Sequence, residues 1–146
     1  MKSTEGSIPK VFLDTNILID SSLFRGDEAL AIEHIIDSAM DNILELHIAA
    51  HSLTNIYYIL RANYSASERK LMILNYCATC NVESVSRENI ERAIDNGYAE
   101  DLEDALQIQC AIDSKCEFFI TRDSDIFSKC PLKTLLPHEL IKELSL

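Results

Sequence analysis

Short apolar runs alternate along this chain with segments whose apolar residues recur at helical spacing. Such alternation predicts strand and helix units that pack as a mainly parallel sheet covered by helices. In an open parallel sheet, the carboxyl ends of the strands and the amino ends of the following helices meet at one crevice, where ligands bind. The pattern therefore predicts an α/β fold and indicates the edge at which a functional site would lie.

The predicted strands and helices cover most of the sequence. The apolar runs that read as strands are residues 10–13, 46–50, 81–85, 117–120 and 133–136. The helical segments are residues 17–23, 27–43, 53–60, 67–77, 88–94 and 100–113, and a last helix that Pro137 opens. Asp27 and Ser52 are the expected N-caps of the second and third segments, because short polar side chains accept hydrogen bonds from the first turn of a helix.

Composition sets the size of the fold and its surroundings. The chain has 146 residues, 47% of them hydrophobic, which is enough for one domain with a substantial core. We expect a flexible tail over residues 1–9 and a single domain over residues 10–146. No apolar stretch approaches the roughly 20 residues that cross a bilayer, and the first residues lack an apolar signal segment. These features predict a cytoplasmic protein without membrane contact.

The cysteines and the net charge narrow the function classes. The 5 cysteines are an odd number spread through the chain, and the Cys77–Cys80 pair lacks a second pair at zinc spacing, so free thiols are expected. A net charge of −11 argues against a protein that grips nucleic acid over a broad surface, because Lys and Arg drive such binding. Cations held by clustered acids would offset part of this charge where a phosphate approaches.

Asp14, Asp101, Asp104 and Asp123 are far apart in the chain but fall at strand ends or helix starts. Gathered carboxylates repel one another unless a cation lies between them, and their oxygens are the ligands that Mg²⁺ prefers. Together they predict a divalent metal site. Singly, each has an ordinary alternative: an acid can close a strand, complement a helix dipole or occupy a turn.

Four segments, in this order and spacing, resemble the PIN-domain family, especially bacterial members akin to VapC-type toxins; they are VFLDTNILID, SLTNIYYIL, DLEDALQIQCAI and ITRDSDIF. The resemblance covers nearly the whole chain. It implies a three-layer α/β/α sandwich with a mainly parallel central sheet of roughly four to five strands. It also implies a ribonuclease site that uses Mg²⁺ or Mn²⁺ and acts on RNA. Resemblance to the toxins further implies an antitoxin protein and a homodimer, although no residue of this sequence indicates either one directly.

The resemblance also implies roles for individual residues. The catalytic metal ligands are three acids: Asp14, Asp104 and Asp123. Thr15 and Asn16 would orient Asp14, Thr121 would steady the turn after the fourth strand, and Arg122 would contact a substrate phosphate. Phosphodiester hydrolysis needs a hydroxide near neutral pH and stabilisation of added negative charge, and a divalent ion serves both needs. No nucleophilic side chain is required.

One position departs from the family pattern. PIN domains usually carry a Glu on the helix after the second strand, where this chain has Asn55. An amide supplies no charge, although its carbonyl oxygen can reach a cation, and Asn55 also stands at capping-box distance from Ser52. We expect Asn55 to have a structural or water-mediated role. Asp101, one turn before Asp104, is predicted to join the metal site and replace the missing charge.

Several nearby side chains have ordinary expected roles. Glu103 is predicted to face solvent, His51 to cap a helix or lie at the surface, and Tyr57 and Tyr58 to pack in the core.

Two other function classes remain open on sequence grounds. One is a catalytically weak PIN-like module that binds RNA or a protein partner without cutting RNA, which Asn55 and the acidic surface favour. The other is a phosphotransfer or receiver-like domain in which an Asp is phosphorylated. Asp14 lacks the acid two residues later that an Asp-x-Asp phosphatase needs.

Overall fold

A sheet of five parallel strands forms the centre of the protein in the computed structural model, which describes residues 7–146. The strands are β1 (Lys10–Leu13), β2 (Glu45–Ala49), β3 (Asn81–Glu83), β4 (Phe118–Ile120) and β5 (Lys133–Leu135). They lie in the order β3-β2-β1-β4-β5, and every neighbouring pair is parallel. Lys10–Leu13 is therefore central, as expected for an almost uninterrupted apolar run.

Helices cover both faces of this sheet. They are α1 (Thr15–Leu23), α2 (Ala29–Met40), α3 (Ala50–Ile59), α4 (Ala66–Thr79), α5 (Arg87–Asn96), α6 (Leu102–Asp113), α7 (Ser124–Phe127) and α8 (Pro137–Leu144). A 3₁₀ turn over Leu60–Ala62 continues α3. The predicted three-layer α/β/α sandwich is confirmed, and the sheet is wholly parallel over its five strands.

Alternate side chains of β1 enter different cores. Val11 and Leu13 pack in the larger core, with apolar side chains of α1, α2, α3 and α8. Phe12 enters the smaller core with Phe119 of β4 and residues of α6, and the two rings stack with centroids 5.4 Å apart. Side chains of successive strand residues point to opposite faces, so one short strand supports both layers.

The chain order of the strands reverses beside β1. From β1 the chain moves to β2 and β3 on one side, and it returns through α5 and α6 to place β4 on the other side. The amide of Asp14 donates to the carbonyl oxygen of Ile120 at 3.0 Å, which joins the carboxyl ends of β1 and β4. Ligands of open α/β sheets bind in the crevice at such a switch point.

Two predicted helix caps are wrong. Helix α3 begins at Ala50, so Ser52 lies inside its first turn, and the Ser52 hydroxyl oxygen is 2.7 Å from that of Thr15. Helix α2 begins at Ala29 with Glu28 in the cap position, one residue after the predicted cap Asp27, and Asp27 does not cap it. In both places the sequence contains a polar residue that could cap the helix. A tertiary contact or a turn nevertheless determines the residue at which the helix begins.

Residues 1–6 of the predicted flexible tail lie outside the described residues, and the Pro9 carbonyl accepts from the Glu45 amide at 2.8 Å. Over residues 7–146 no helix has the length and apolar character needed to span a bilayer. All 5 cysteines are free thiols, as predicted.

Candidate metal centre

Asp14 lies at the end of β1, where three side chains hold its carboxylate. It is 3% exposed. The side-chain amide of Gln107 donates to Oδ1 at 2.8 Å, the hydroxyl of Thr121 donates to Oδ2 at 2.5 Å, and the amide of Asn16 donates to Oδ2 at 3.0 Å. Because donors from α1, α6 and the end of β4 reach both oxygens, the carboxylate has a defined orientation at the carboxyl end of β1.

Thr15 contacts the site through its neighbours. Its backbone amide donates to Oε1 of Gln107 at 3.0 Å, and Gln107 in turn donates to Asp14. Its hydroxyl donates to Oε2 of Glu103 at 3.1 Å and lies 2.7 Å from the hydroxyl of Ser52. Thr15 therefore acts on the orientation of Asp14 through Gln107, and it links α1 to α3 and α6.

Asp123 occupies the turn after β4, which Thr121 joins to Asp14. The Thr121 hydroxyl donates to Asp14 and accepts from the backbone amide of Asp123 at 2.9 Å. Oδ1 of Asp123 accepts from the amide of Asp125 at 2.9 Å and caps α7. Thr121 is fully buried, so the relative position of the two acids is set by an internal contact.

Asp101 and Asp104 lie at the amino end of α6. Oδ1 of Asp101 accepts from the backbone amide of Asp104 at 3.0 Å, so Asp101 is the N-cap of the helix. Side-chain oxygens of Asp101, Glu103 and Asp104 lie within 4.8 Å of one another. Among residues 7–146, the carboxylate of Asp104 has no hydrogen-bond partner, which leaves both of its oxygens available to a ligand.

The charges of these acids act on one another. Burial, followed by repulsion from Asp14, Glu103, Asp101 and Asp123, raises the pKa of Asp104 to about 7. Burial also raises the pKa of Asp14, although the hydrogen bonds from Thr121 and Gln107 oppose that rise. Asp14 and Asp123 therefore act on Asp104 from two other segments, although neither belongs to the group of oxygens within 4.8 Å that Asp101, Glu103 and Asp104 form. A donor set made only of carboxylate oxygens fits Mg²⁺ or Mn²⁺, and such a cation would relieve the repulsion.

A pocket of about 510 Å³ opens beside these acids. Asp101, Asp104 and Asp123 line it together with Asp125 and the basic side chain of Lys129. Its volume lies within the range of roughly 300–1,000 Å³ that is usual for ligand sites. The pocket gives solvent and ligands a route to the acids.

Two predicted site residues lie elsewhere or have other partners. The guanidinium of Arg122 pairs with buried Asp20 of α1, and Arg25 binds the same carboxylate at 3.0 Å. Asn55 forms no side-chain hydrogen bond with any residue that the structure describes, and Ser52 contacts Thr15. The proposed capping box of Ser52 and Asn55 is therefore absent from α3.

Sequence reasoning missed the role of Glu103. It was expected to face solvent, but its Oε2 accepts hydrogen bonds from Thr15 and from Gln107 and lies 3.0 Å from Nε2 of His51. The spacing of Glu103 and Gln107, four residues apart on one predicted helix, is a signal that would have placed them on one face. His51, expected to be a cap or a surface residue, has Glu103 as its partner.

The tyrosines of α3 differ from each other. Tyr58 is 58% exposed, which contradicts its predicted core position, and the guanidinium of Arg61 lies 3.8 Å from its ring centroid. Tyr57 is half-buried under Arg69, at 4.2 Å. Both tyrosines pair with arginine at the surface end of α3.

The fold and the acidic crevice together characterise one class of protein, and comparison with known families identifies that class. The model of the PIN domain matches residues 10–125, and the chain belongs to the PIN-domain family. PIN domains are generally nucleases and typically depend on divalent metals. A search of curated proteins finds no significant match.

Solved structures resemble the whole fold. A toxin–antitoxin complex from Klebsiella pneumoniae contains a chain with a TM-score of 0.65 and 21% identity, over 87% of this chain and 97% of that one. VapC20 of Mycobacterium tuberculosis, a sarcin–ricin loop cleaving toxin, has a TM-score of 0.66 and 12% identity, over 84% and 97%. VapBC2 from Rickettsia felis, bound to a DNA fragment from its promoter, has a TM-score of 0.63 and 15% identity, over 87% and 98%. At these identities the likeness shows a common fold.

Proposed function

We propose that the protein is a metal-dependent endoribonuclease and the toxin of a toxin–antitoxin pair. The observation that carries the proposal is the set of acids from three distant segments around Asp104, where burial and then repulsion from its neighbours, Asp14 and Asp123 among them, raise the pKa of Asp104 to about 7. Family membership supports nuclease activity, and the resemblance to toxin structures supports the toxin role.

The metal ligands in this proposal are Asp14, Asp104 and Asp123, with Asp101 adding charge at the pocket mouth through its free oxygen. A bound Mg²⁺ or Mn²⁺ would supply hydroxide near neutral pH and offset the charge that develops on the phosphate. The carboxylate of Asp14 is the one with the most fixed orientation, since Gln107 and Thr121 donate to opposite oxygens. Fixed ligands lower the cost of assembling the site for each substrate.

RNA is the proposed substrate, and its proposed basic contacts are Lys129 inside the acidic pocket and Arg122 outside it. Lys129 lines the pocket beside Asp123. Arg122 binds Asp20 through Nε and Nη2, so the proposed phosphate contact would use Nη1, which has no partner among residues 7–146. Because Arg122 lines a separate pocket with Asp20 and Arg25, an RNA strand that contacts both basic groups would extend beyond the acidic pocket.

An antitoxin protein and a homodimer are part of the same proposal. The structural neighbours from Klebsiella pneumoniae and Rickettsia felis are toxin–antitoxin assemblies, which supports a protein partner for this chain. Size-exclusion chromatography with light scattering would measure the oligomeric state, with a mass near twice that of one chain expected.

The alternative is a catalytically weak PIN-like module that binds RNA or a protein partner. Two observations favour it: Asn55 carries no charge, and the net charge is −11. Cleavage separates the two functions, because a binding module would retain RNA in a filter or gel assay without shortening it.

The decisive experiment compares the wild type with Asp14→Asn on a panel of RNAs in Mg²⁺, Mn²⁺ or EDTA. Asp125→Asn is the matched control, since Asp125 lines the same pocket outside the proposed ligand set. We expect wild type and Asp125→Asn to cleave with either metal and not in EDTA. Asp14→Asn should lose activity by about a hundredfold or more, because metal assistance is worth several kcal/mol. Equal cleavage by wild type and Asp14→Asn would refute the metal assignment.

A further inference from the structure

We propose that Glu103 is an additional metal-binding carboxylate of this centre and that His51 is the residue that positions it. The inference rests on the proposed function and adds a ligand from α6 and a positioning residue from α3.

The contacts of Glu103 are all on one of its two oxygens. Oε2 accepts from the hydroxyl of Thr15 at 3.1 Å and from the amide of Gln107 at 2.9 Å, and it lies 3.0 Å from Nε2 of His51. Oε1 has no hydrogen-bond partner among residues 7–146, and the side chain is 35% exposed. A carboxylate that is held firmly by one oxygen, and whose other oxygen has no partner among these residues, is arranged to bind a cation.

The same Gln107 nitrogen joins Glu103 to the centre. It donates to Oδ1 of Asp14 at 2.8 Å and to Oε2 of Glu103 at 2.9 Å, so the two carboxylates flank one donor. Oxygens of Glu103, Asp104 and Asp101 also lie within 4.8 Å of one another. Glu103 therefore lies between the central acid and the acids that open α6.

Glu103 and Asp101 differ in the hydrogen bonds that their carboxylate oxygens accept. Asp101 uses one oxygen to cap α6 and is exposed at the pocket mouth. Glu103 reaches toward α3, whose first turn contains no acid and whose next turn carries Asn55. Glu103 thus brings a negative charge to the side of the site where α3 supplies none.

His51 is well placed to fix this carboxylate. With its hydrogen on Nε2, the imidazole donates to Oε2 of Glu103, while Nδ1 is buried without a partner in the described chain. A ring whose single polar contact is Glu103 has its orientation set by that bond. Partners that orient metal ligands typically affect metal affinity by about 10- to 100-fold when removed.

The test is Mn²⁺ binding without RNA, measured by isothermal titration calorimetry and by the Mn²⁺-induced rise in Tm. The variants are Glu103→Gln, the matched control Glu100→Gln, and Asp14→Asn. Gln keeps an oxygen that can accept from Thr15 and Gln107, so the fold should persist. Glu100 is an exposed acid that lines the pocket beside Asp101 and Asp104. We expect Glu103→Gln to weaken Mn²⁺ binding by about tenfold or more and Glu100→Gln by less than about twofold.

The outcomes separate this inference from the proposed function. If Asp14→Asn loses Mn²⁺ binding and Glu103→Gln retains it, the role of Glu103 is overturned while the metal centre stands. If all variants bind Mn²⁺ like the wild type, the proposed metal centre fails as well. A loss in Glu103→Gln with an unchanged metal-free Tm supports the inference, because a merely structural defect would lower that Tm.

His51 is tested by rescue. The amide nitrogen of Gln can replace the Nε2 donor, whereas Ala cannot, so His51→Gln should bind Mn²⁺ within about threefold of wild type and His51→Ala about tenfold more weakly. In the Glu103→Gln background, His51→Ala should have no further effect on Mn²⁺ binding. An equal loss in both backgrounds would overturn the positioning role.

Discussion

Gln107 and Asp14 are 93 residues apart in the chain, yet the Gln107 amide donates to Oδ1 of Asp14 at 2.8 Å. The carbonyl oxygen of the same side chain accepts from the Thr15 amide at 3.0 Å. Gln107 is fully buried. One neutral side chain thus satisfies a buried backbone donor and orients the central acid, using both ends of its amide group.

Replacing Gln107 with Leu should destabilise the fold. The substitution leaves the Thr15 amide and one oxygen of Asp14 without a partner, which costs about 1–3 kcal/mol for a buried polar group. Urea unfolding followed by circular dichroism measures this loss. Gln109→Leu tests whether any buried glutamine of α6 is equally sensitive, since Gln109 bonds Asn96 and Asp113 away from the site. An unchanged urea midpoint in Gln107→Leu would show that the amide contacts do not stabilise the fold.

Sequence patterns located the elements of this fold because local properties determine them. The apolar run of β1 and the periodic apolar residues of α6 indicate burial whatever lies beside them. The aspartates were locatable for the same reason, since they stand at the ends of those elements. Their positions predict Asp104 at the crevice, and Asp104 lines the pocket there.

Contacts between side chains that are far apart in the sequence cannot be predicted in the same way. Asp20 looks like an ordinary polar residue of α1, yet it is buried between Arg25 and Arg122. Glu103 lies off the helix face that Asp101 and Asp104 share, which predicts exposure to solvent. Its partners Thr15 and His51 come from other elements. Such contacts follow from how helices pack on the sheet, which the periodicity of one segment does not encode.

The metal-free protein should become less stable as pH rises. Burial and neighbouring acids raise the pKa of Asp104 to about 7 in the folded state, from 3.8 for an unperturbed Asp. The folded state therefore binds this proton more tightly, so the stabilisation is present below pH 3.8 and is lost as pH rises through about 7. We expect the Tm in EDTA to fall between about pH 5 and pH 8, and Asp104→Asn to reduce that fall. A pH dependence identical in both proteins would contradict this account.

His47 should stabilise the sheet through two carboxylates. It is buried on β2, with Nε2 2.7 Å from Glu45 and Nδ1 2.5 Å from Glu83 on β3. His47→Leu removes both partners, and because the glutamates are partly exposed we expect a loss of about 1–2 kcal/mol. His138→Leu is the control, since the His138 side chain is 61% exposed where it pairs with Glu28, and pairs with an exposed partner are typically worth less than about 1 kcal/mol. Equal urea midpoints for His47→Leu and His138→Leu would show that the two contacts of His47 stabilise the protein no more than the single pair of His138 does.

The cysteines should differ sharply in reactivity. Burial raises the pKa of the thiols of Cys80, Cys110 and Cys116 to about 12, and Cys77 is exposed. Because the thiolate is the reactive form, the native protein should react rapidly with Ellman's reagent at Cys77, and all 5 thiols should react once it is unfolded. Cys77→Ser should abolish the rapid phase, with Cys130, whose pKa burial also raises, reacting more slowly. Rapid reaction at Cys80 would mean that α4 opens in solution.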